Sequence, residues 1–203
     1  MTQFGLFDAP LSLIEGDRGS VTYHAGFIPI ADAEAHFAAL REGVDWHAKR
    51  RVMYEREVDV PRLTAHFPLA ALASGEADGI SERAAEAVAN LARRVIGALH
   101  APFNSIGLNF YRDGSDSVAP HNDRLEDLKK NAPIALVSLG ATRRMLIRAK
   151  QAGEAAVPID LEAGSLLVMS WVSQLHYTHG VAKTKAAVGE RISVALRVRP
   201  SNA

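Results

Sequence analysis

Arg191-Ile192-Ser193-Val194-Ala195-Leu196-Arg197-Val198-Arg199 is the stretch on which the fold of this 203-residue chain turns. Side chains alternate along a strand, so Ile192, Val194, Leu196 and Val198 fill one face while Arg191, Ser193, Ala195 and Arg197 share the other. The apolar face suits a core. The polar face sets two guanidinium groups apart by two small residues, which is either the solvated side of an edge strand or the wall of an anion site. Working outward, the same period of two recurs over 105–112, 134–139, 144–148 and 164–171, broken by turn-rich pieces such as Asp113-Gly114-Ser115-Asp116. Consecutive short strands without helices between them predict an antiparallel sandwich or barrel, not a parallel βαβ sheet.

Upstream of residue 100 the period is helical. Residues 31–42 place Ala33, Phe37 and Leu40 on one face and stop at Gly43. Residues 82–100 form a second helix with Ser81 as N-cap, a stripe of Ala84, Val88, Leu91, Val95 and Leu99, and Pro102 beyond its end. The segment between them reads as irregular, punctuated by Pro61, Pro68, Gly75 and Gly79. Length and a 48% hydrophobic fraction fit a single domain over 1–203 and make disorder a poor description.

With no cysteine there is no disulfide framework, thiolate zinc site, iron–sulfur cluster or cysteine nucleophile, so any metal is held by nitrogen and oxygen. Met1 to Asp8 lacks the pattern of a signal peptide, and apolar runs such as 166–169 are too short to span a bilayer, so a soluble cytoplasmic monomer without membrane contact is expected. The 23 basic and 23 acidic residues cancel, which argues against indiscriminate coating of nucleic acid. The balance is split, however. Residues 1–100 carry 10 basic and 14 acidic side chains, residues 101–203 carry 13 and 9, and an anion belongs with the second half.

His121-Asn122-Asp123 projects an imidazole and a carboxylate to one side of an extended segment, two of the three ligands of the facial triad of nonheme iron(II) oxygenases. Downstream, Leu175-His176-Tyr177-Thr178-His179-Gly180-Val181 offers two histidines whose spacing of three puts them on opposite faces, so one of the pair is expected to serve. His24, His36, His47, His66 and His100 have no ligand spacing. Asn109 and Tyr111 share a strand face, an amide and a phenol suited to a carboxylate beside arginine.

In order along the chain, Pro61-Arg62-Leu63-Thr64-Ala65, Asn109-Phe110-Tyr111-Arg112-Asp113-Gly114, His121-Asn122-Asp123, Ser138-Leu139-Gly140, Gly164-Ser165-Leu166-Leu167-Val168-Met169, His179-Gly180-Val181 and Arg191 through Arg197 resemble the AlkB-type iron(II)- and 2-oxoglutarate-dependent dioxygenases. The resemblance covers most of 61–199. It implies an α+β, mainly β fold: a double-stranded β-helix, or jelly roll, over 101–200, with helices and a substrate lid in 1–100. It implies Fe(II) on His121, Asp123 and His179, 2-oxoglutarate held by Asn109, Tyr111, Arg191, Ser193 and Arg197, and O2 as second co-substrate. Three protein ligands leave three positions on the metal, two for the keto acid and one for dioxygen. The implied activity is oxidative demethylation of an N-alkylated base in DNA or RNA, with release of formaldehyde, succinate and carbon dioxide.

The same resemblance puts His66 and Phe67 where a lid stacks on a flipped base. It puts Leu125 where many base-repairing members carry an acid, so Glu126 would take that place after a shift of one residue. Arg143, Arg144, Arg148 and Lys150 are phosphate contacts or a solvated face, and Lys49-Arg50-Arg51 is open in the same way. Leucine at 125 and the neutral charge support another reading, an oxygenase of a small molecule or a protein side chain. A third, a noncatalytic cupin-like or zinc-loaded binding module, leaves the paired arginines without a purpose.

Overall fold

The computed structural model describes residues 9–53 and 56–200, and side chains throughout these except 49–53 and 56–59. The Met1 to Asp8 segment and the Lys49-Arg50-Arg51 side chains, both considered above, lie outside what is described. In chain order β1 (Leu11–Ile14) and β2 (Val21–His24) precede α1 (Ile30–Gly43), β3 (His47–Met53), β4 (Arg56–Pro68), α2 (Leu69–Ser74) and α3 (Glu82–Leu99). Then come β5 (Ser105–Tyr111), β6 (Val118–His121), β7 (Ile134–Gly140), β8 (Arg143–Ala149), β9 (Val157–Leu161) and β10 (Leu166–Met169). A short helix α4 (Ser173–His176), β11 (Tyr177–Val181) and β12 (Arg191–Arg197) complete the series.

All strand pairs are antiparallel, in an eight-stranded sheet of order β1-β2-β10-β7-β12-β5-β4-β3 and a four-stranded sheet of order β6-β11-β8-β9. This is a jelly roll whose larger sheet is backed by helices. The apolar face of β12 explains the layering: Ile192, Val194, Leu196 and Val198 pack with Val88, Leu91 and Val95 of α3 and Leu40 of α1. Ser81 caps α3 by accepting the Ala84 N–H at 3.3 Å, satisfying a backbone donor that the helix leaves unpaired. A second core, including Tyr111, Leu136, Met145, Ile147, Leu167 and Ala195, fills the space between the sheets.

One alternative is decided here and one expectation is corrected. First, β12 is no edge strand: it pairs with β5 on one side and β7 on the other, so its polar face looks into the molecule, and Arg191 is 1% exposed. Second, much of the supposedly irregular stretch is β4, which pairs with β3 and, from Leu63 on, with β5. Pro61 is tolerated because it falls in a bulge, where the β3 register jumps between Ala48 and Arg50, and before the β5 pairing begins. The first half of the chain therefore supplies β1 to β4 of the large sheet, in addition to its helices. Among the described residues no helix is long and apolar enough to cross a membrane.

Candidate active site

β6 and β11 pair with His121 directly opposite His179, which brings the two rings to 4.5 Å between centroids. Gly180 permits this approach. A Cβ there would stand 2.9 Å from both Pro120 N and Val118 O, backbone atoms of β6. Two residues beyond His121 the chain returns Asp123 to the same point, and ligand atoms of His121, Asp123 and His179 all lie within 4.8 Å of one another. His176 is on α4 and does not join them.

Each member is prepared for a cation. The Nδ1 of His121 donates to the Ala119 carbonyl at 3.0 Å, which orients the ring and leaves Nε2 as the nitrogen to ligate. Burial, helped by neighbouring His121, pushes the His179 pKa down to about 4, so its imidazole is neutral near pH 7. Burial pushes the Asp123 carboxyl up, but Arg197 overrides it by charge and hydrogen bonding, and the two histidines add to that; the net shift is downward.

The triad opens into a cavity of about 450 Å³ between the sheets, lined by the polar face of β12 and the facing side chains of β5 and β4. Arg191 is the group that most needs a ligand. One nitrogen, Nη2, donates to Ser138 Oγ at 2.9 Å, while Nε and Nη1 are buried without a partner. Its guanidinium carbon is 5.1 Å from the Tyr111 ring centroid, and register sets Arg191 opposite Tyr111 and Ser193 opposite Asn109. The Asn109 amide donates to Ser193 Oγ at 3.4 Å. A buried cation with unused donors, a phenol, an amide and a hydroxyl on one wall fit a dianionic keto acid, and the nitrogen and oxygen donors of the triad fit iron(II).

Across residues 20–197 the sequence matches the model of the 2OG-Fe(II) oxygenase superfamily. The chain belongs to that superfamily. Human DNA oxidative demethylase ALKBH2 is 33% identical over 110 residues, a match spanning 51% of this chain and 42% of that protein. Rat alpha-ketoglutarate-dependent dioxygenase alkB homolog 3 is 28% identical over 209 residues, covering 95% of this chain and 68% of that protein. The chain thus spans from under half to about two thirds of the length of these relatives. The solved structure of OsALKBH1 superposes with a TM-score of 0.56 at 15% identity, covering 91% of this chain and 99% of that one, and shares the fold. Membership of that superfamily implies iron(II) with 2-oxoglutarate and dioxygen, and the cluster of His121, Asp123 and His179 fits the metal.

Several residues singled out in the oxygenase stand elsewhere than expected. Arg197 lines the cavity but directs its fork at Asp123, with Nε and Nη2 at 2.8 and 2.9 Å from the two carboxylate oxygens, so it meets the triad directly. Phe67 is buried in the helix-side core at 6% exposure. Alternation on β4 turns Arg62, Thr64 and His66 to the cavity and Phe67 away from it. His66 is 2.9 Å from Ser105 Oγ. Glu126 is exposed, bound to Arg124, and does not line the cavity. Arg143 is buried and donates to the carbonyls of Asp113, Asp116 and Ala182, Arg144 pairs with Asp160, and Lys150 donates to the Gln174 carbonyl, which leaves Arg148 of that series turned to solvent. Arg62, whose Nε donates to Asn109 Oδ1 at 2.7 Å, and Thr64, with a buried unpartnered hydroxyl, are cavity residues that the prolines of β4 conceal in the sequence.

Proposed function

We propose that this oxygenase removes an N-linked alkyl group from a base in nucleic acid, with the whole chain acting as one domain. His121 and His179 would hold iron(II) through imidazole nitrogen and Asp123 through a carboxylate oxygen, while Arg191, Tyr111, Asn109 and Ser193 would hold 2-oxoglutarate, with Arg197 steadying Asp123. Iron(II) bound there supplies the oxidation: with dioxygen, the keto acid becomes succinate and carbon dioxide and an N-methyl group becomes N-hydroxymethyl, which leaves as formaldehyde and returns N–H. The protein's part is to bind and orient both organic partners and to keep the reacting carbon in a site walled by Leu136, Met145 and Met169.

The observation that carries a nucleic-acid substrate is a groove sharing Arg62, His121, Asn122 and Arg124 with the cavity and continuing past Arg148 and Lys183, with no acidic residue among its described lining residues. Such a groove suits a phosphate chain whose base enters the cavity. The name of the human relative, a DNA oxidative demethylase, supports the same reading. Formaldehyde release should be measured from a panel of methylated single- and double-stranded DNA and RNA. Release from at least one is expected; succinate formation without release from any of them would overturn the assignment.

One observation favours a second reading, hydroxylation of a small molecule or a protein side chain. Besides Asp123, the carboxylate in the cavity lining is Asp127, which lies 3.3 Å from Arg199, while Leu125 and outward-turned Glu126 offer nothing to a cationic base. A panel without release directs the search there.

A further inference from the structure

Asp123 lies beyond the end of β6, outside any strand, so its backbone needs an anchor other than a ladder. Its N–H donates to Gln174 Oε1 at 3.0 Å. Gln174 belongs to α4, stands five residues before His179, and is 1% exposed. Its amide is not free to turn over. Nε2 donates to Ser173 Oγ at 3.1 Å and to Met169 Sδ at 3.9 Å, which leaves the carbonyl oxygen for the Asp123 N–H. The helix itself is tied to the residue that follows β8, since Lys150 Nζ donates to the Gln174 carbonyl and the Lys150 N–H to the His176 carbonyl, both at 2.8 Å.

Gln174 does not line the cavity, so its amide has no bound molecule to recognise. One of its side-chain contacts is the backbone of a triad member. Asp123 is thereby held at both ends: the carboxylate by the Arg197 fork, the amide by Gln174. Arg197 alone fixes the carboxylate relative to β12. Gln174 ties the Asp123 backbone to the turn that launches His179, beyond the point where the pairing of His121 with His179 ends.

We infer that Gln174 is a positioning residue that sets the Asp123 carboxylate against His179 for metal binding. The inference rests on the triad proposed above. Partners that hydrogen-bond the ligating groups themselves are worth about 10- to 100-fold in metal affinity, and Gln174, acting through the Asp123 backbone, belongs at the lower end.

The test uses cobalt(II) as probe, titrated by absorbance into the metal-free full chain without 2-oxoglutarate, with Asp123 amide exchange followed by NMR. Wild-type protein should bind and His121→Ala should not. Gln174→Met keeps the volume and loses the acceptor; it should bind cobalt(II) about tenfold more weakly and speed Asp123 amide exchange. Gln174→Asn, which keeps a buried amide but withdraws it by one carbon–carbon bond, should do the same and stands in if the methionine variant does not fold. A merely structural glutamine would lower the melting temperature and leave the affinity of the folded protein alone. Cobalt(II) affinity within twofold of wild type in a folded variant, or unchanged Asp123 exchange, overturns the inference and spares the triad. Undiminished binding by His121→Ala overturns the triad itself.

Discussion

Arg191 combines two costs that a bound anion would offset beyond the support of Tyr111: a charge taken fully out of water and two nitrogens, Nε and Nη1, left without acceptors. Its burial accordingly lowers its pKa, by desolvation first. Arg191→Met keeps much of the volume and drops both liabilities. The variant is expected to lose about 100-fold in 2-oxoglutarate affinity, the equivalent of about 3 kcal/mol in charge-assisted hydrogen bonds, while the unliganded protein melts no lower than wild type. Anaerobic titration and a thermal scan check the two halves, and affinity within a few fold of wild type would contradict the assignment. His179 gives a pH dependence of definite sign. Its pKa falls from 6.5 to about 4 on folding, so between those values the unfolded chain binds more protons and stability drops as pH drops. Asp123, also lowered, extends the loss below the ordinary carboxylate range. Urea midpoints of metal-free protein should therefore fall from pH 6.5 toward pH 4, and less steeply in His179→Phe. At this scale the residue types were readable in the chain, but Arg197's engagement with Asp123 was not, because it joins positions 74 apart.

The site depends on how closely β6 lies against β11, and Gly180 sets that distance. Gly180→Ala would place a methyl group 2.9 Å from two backbone atoms of β6, a contact that no side-chain rotation relieves. Overpacking of this kind costs about 1–3 kcal/mol, and here it also pushes His121 from His179. The expected result is a lower melting temperature together with cobalt(II) affinity reduced by more than tenfold; a variant with wild-type affinity would show that the sheet absorbs the strain elsewhere. Elements differed in how openly the sequence announced them. α3 and β5, β7, β8 and β12 run for seven or more residues and end near recognisable punctuation, and the four-residue β10 shows as an apolar run after Gly164. β4 carries two prolines and so imitates a loop, and the four-residue β1, β2 and β6 are too short for any period to show.

For the molecule as a whole, the basic groove has to act on a long anion while leaving the cavity chemistry untouched. The double variant Arg148→Glu/Lys183→Glu should weaken binding of a methylated single-stranded oligonucleotide and lower the slope of log affinity against log salt by about 1.4, two contacts at about 0.7 each. Succinate production in the absence of nucleic acid should not change, and an unaltered salt slope would remove the groove from the binding surface. A net charge of zero made this surface invisible in the composition, since it is the fold that gathers Arg62, Arg124, Arg148 and Lys183 at one mouth. The sequence by itself determined the donor chemistry and the class of fold. Without cysteine the metal ligands had to be histidine and carboxylate, and alternation along 191–199 and 105–112 required two-faced strands. Only the tertiary structure decided that β12 lies mid-sheet, that its polar face is a buried wall, that His66 faces the cavity while Phe67 does not, and that Gln174 reaches Asp123. Alternation states that two faces differ but carries no information about which neighbours cover them. That is settled by pairings between positions far apart in the chain, which local pattern does not encode.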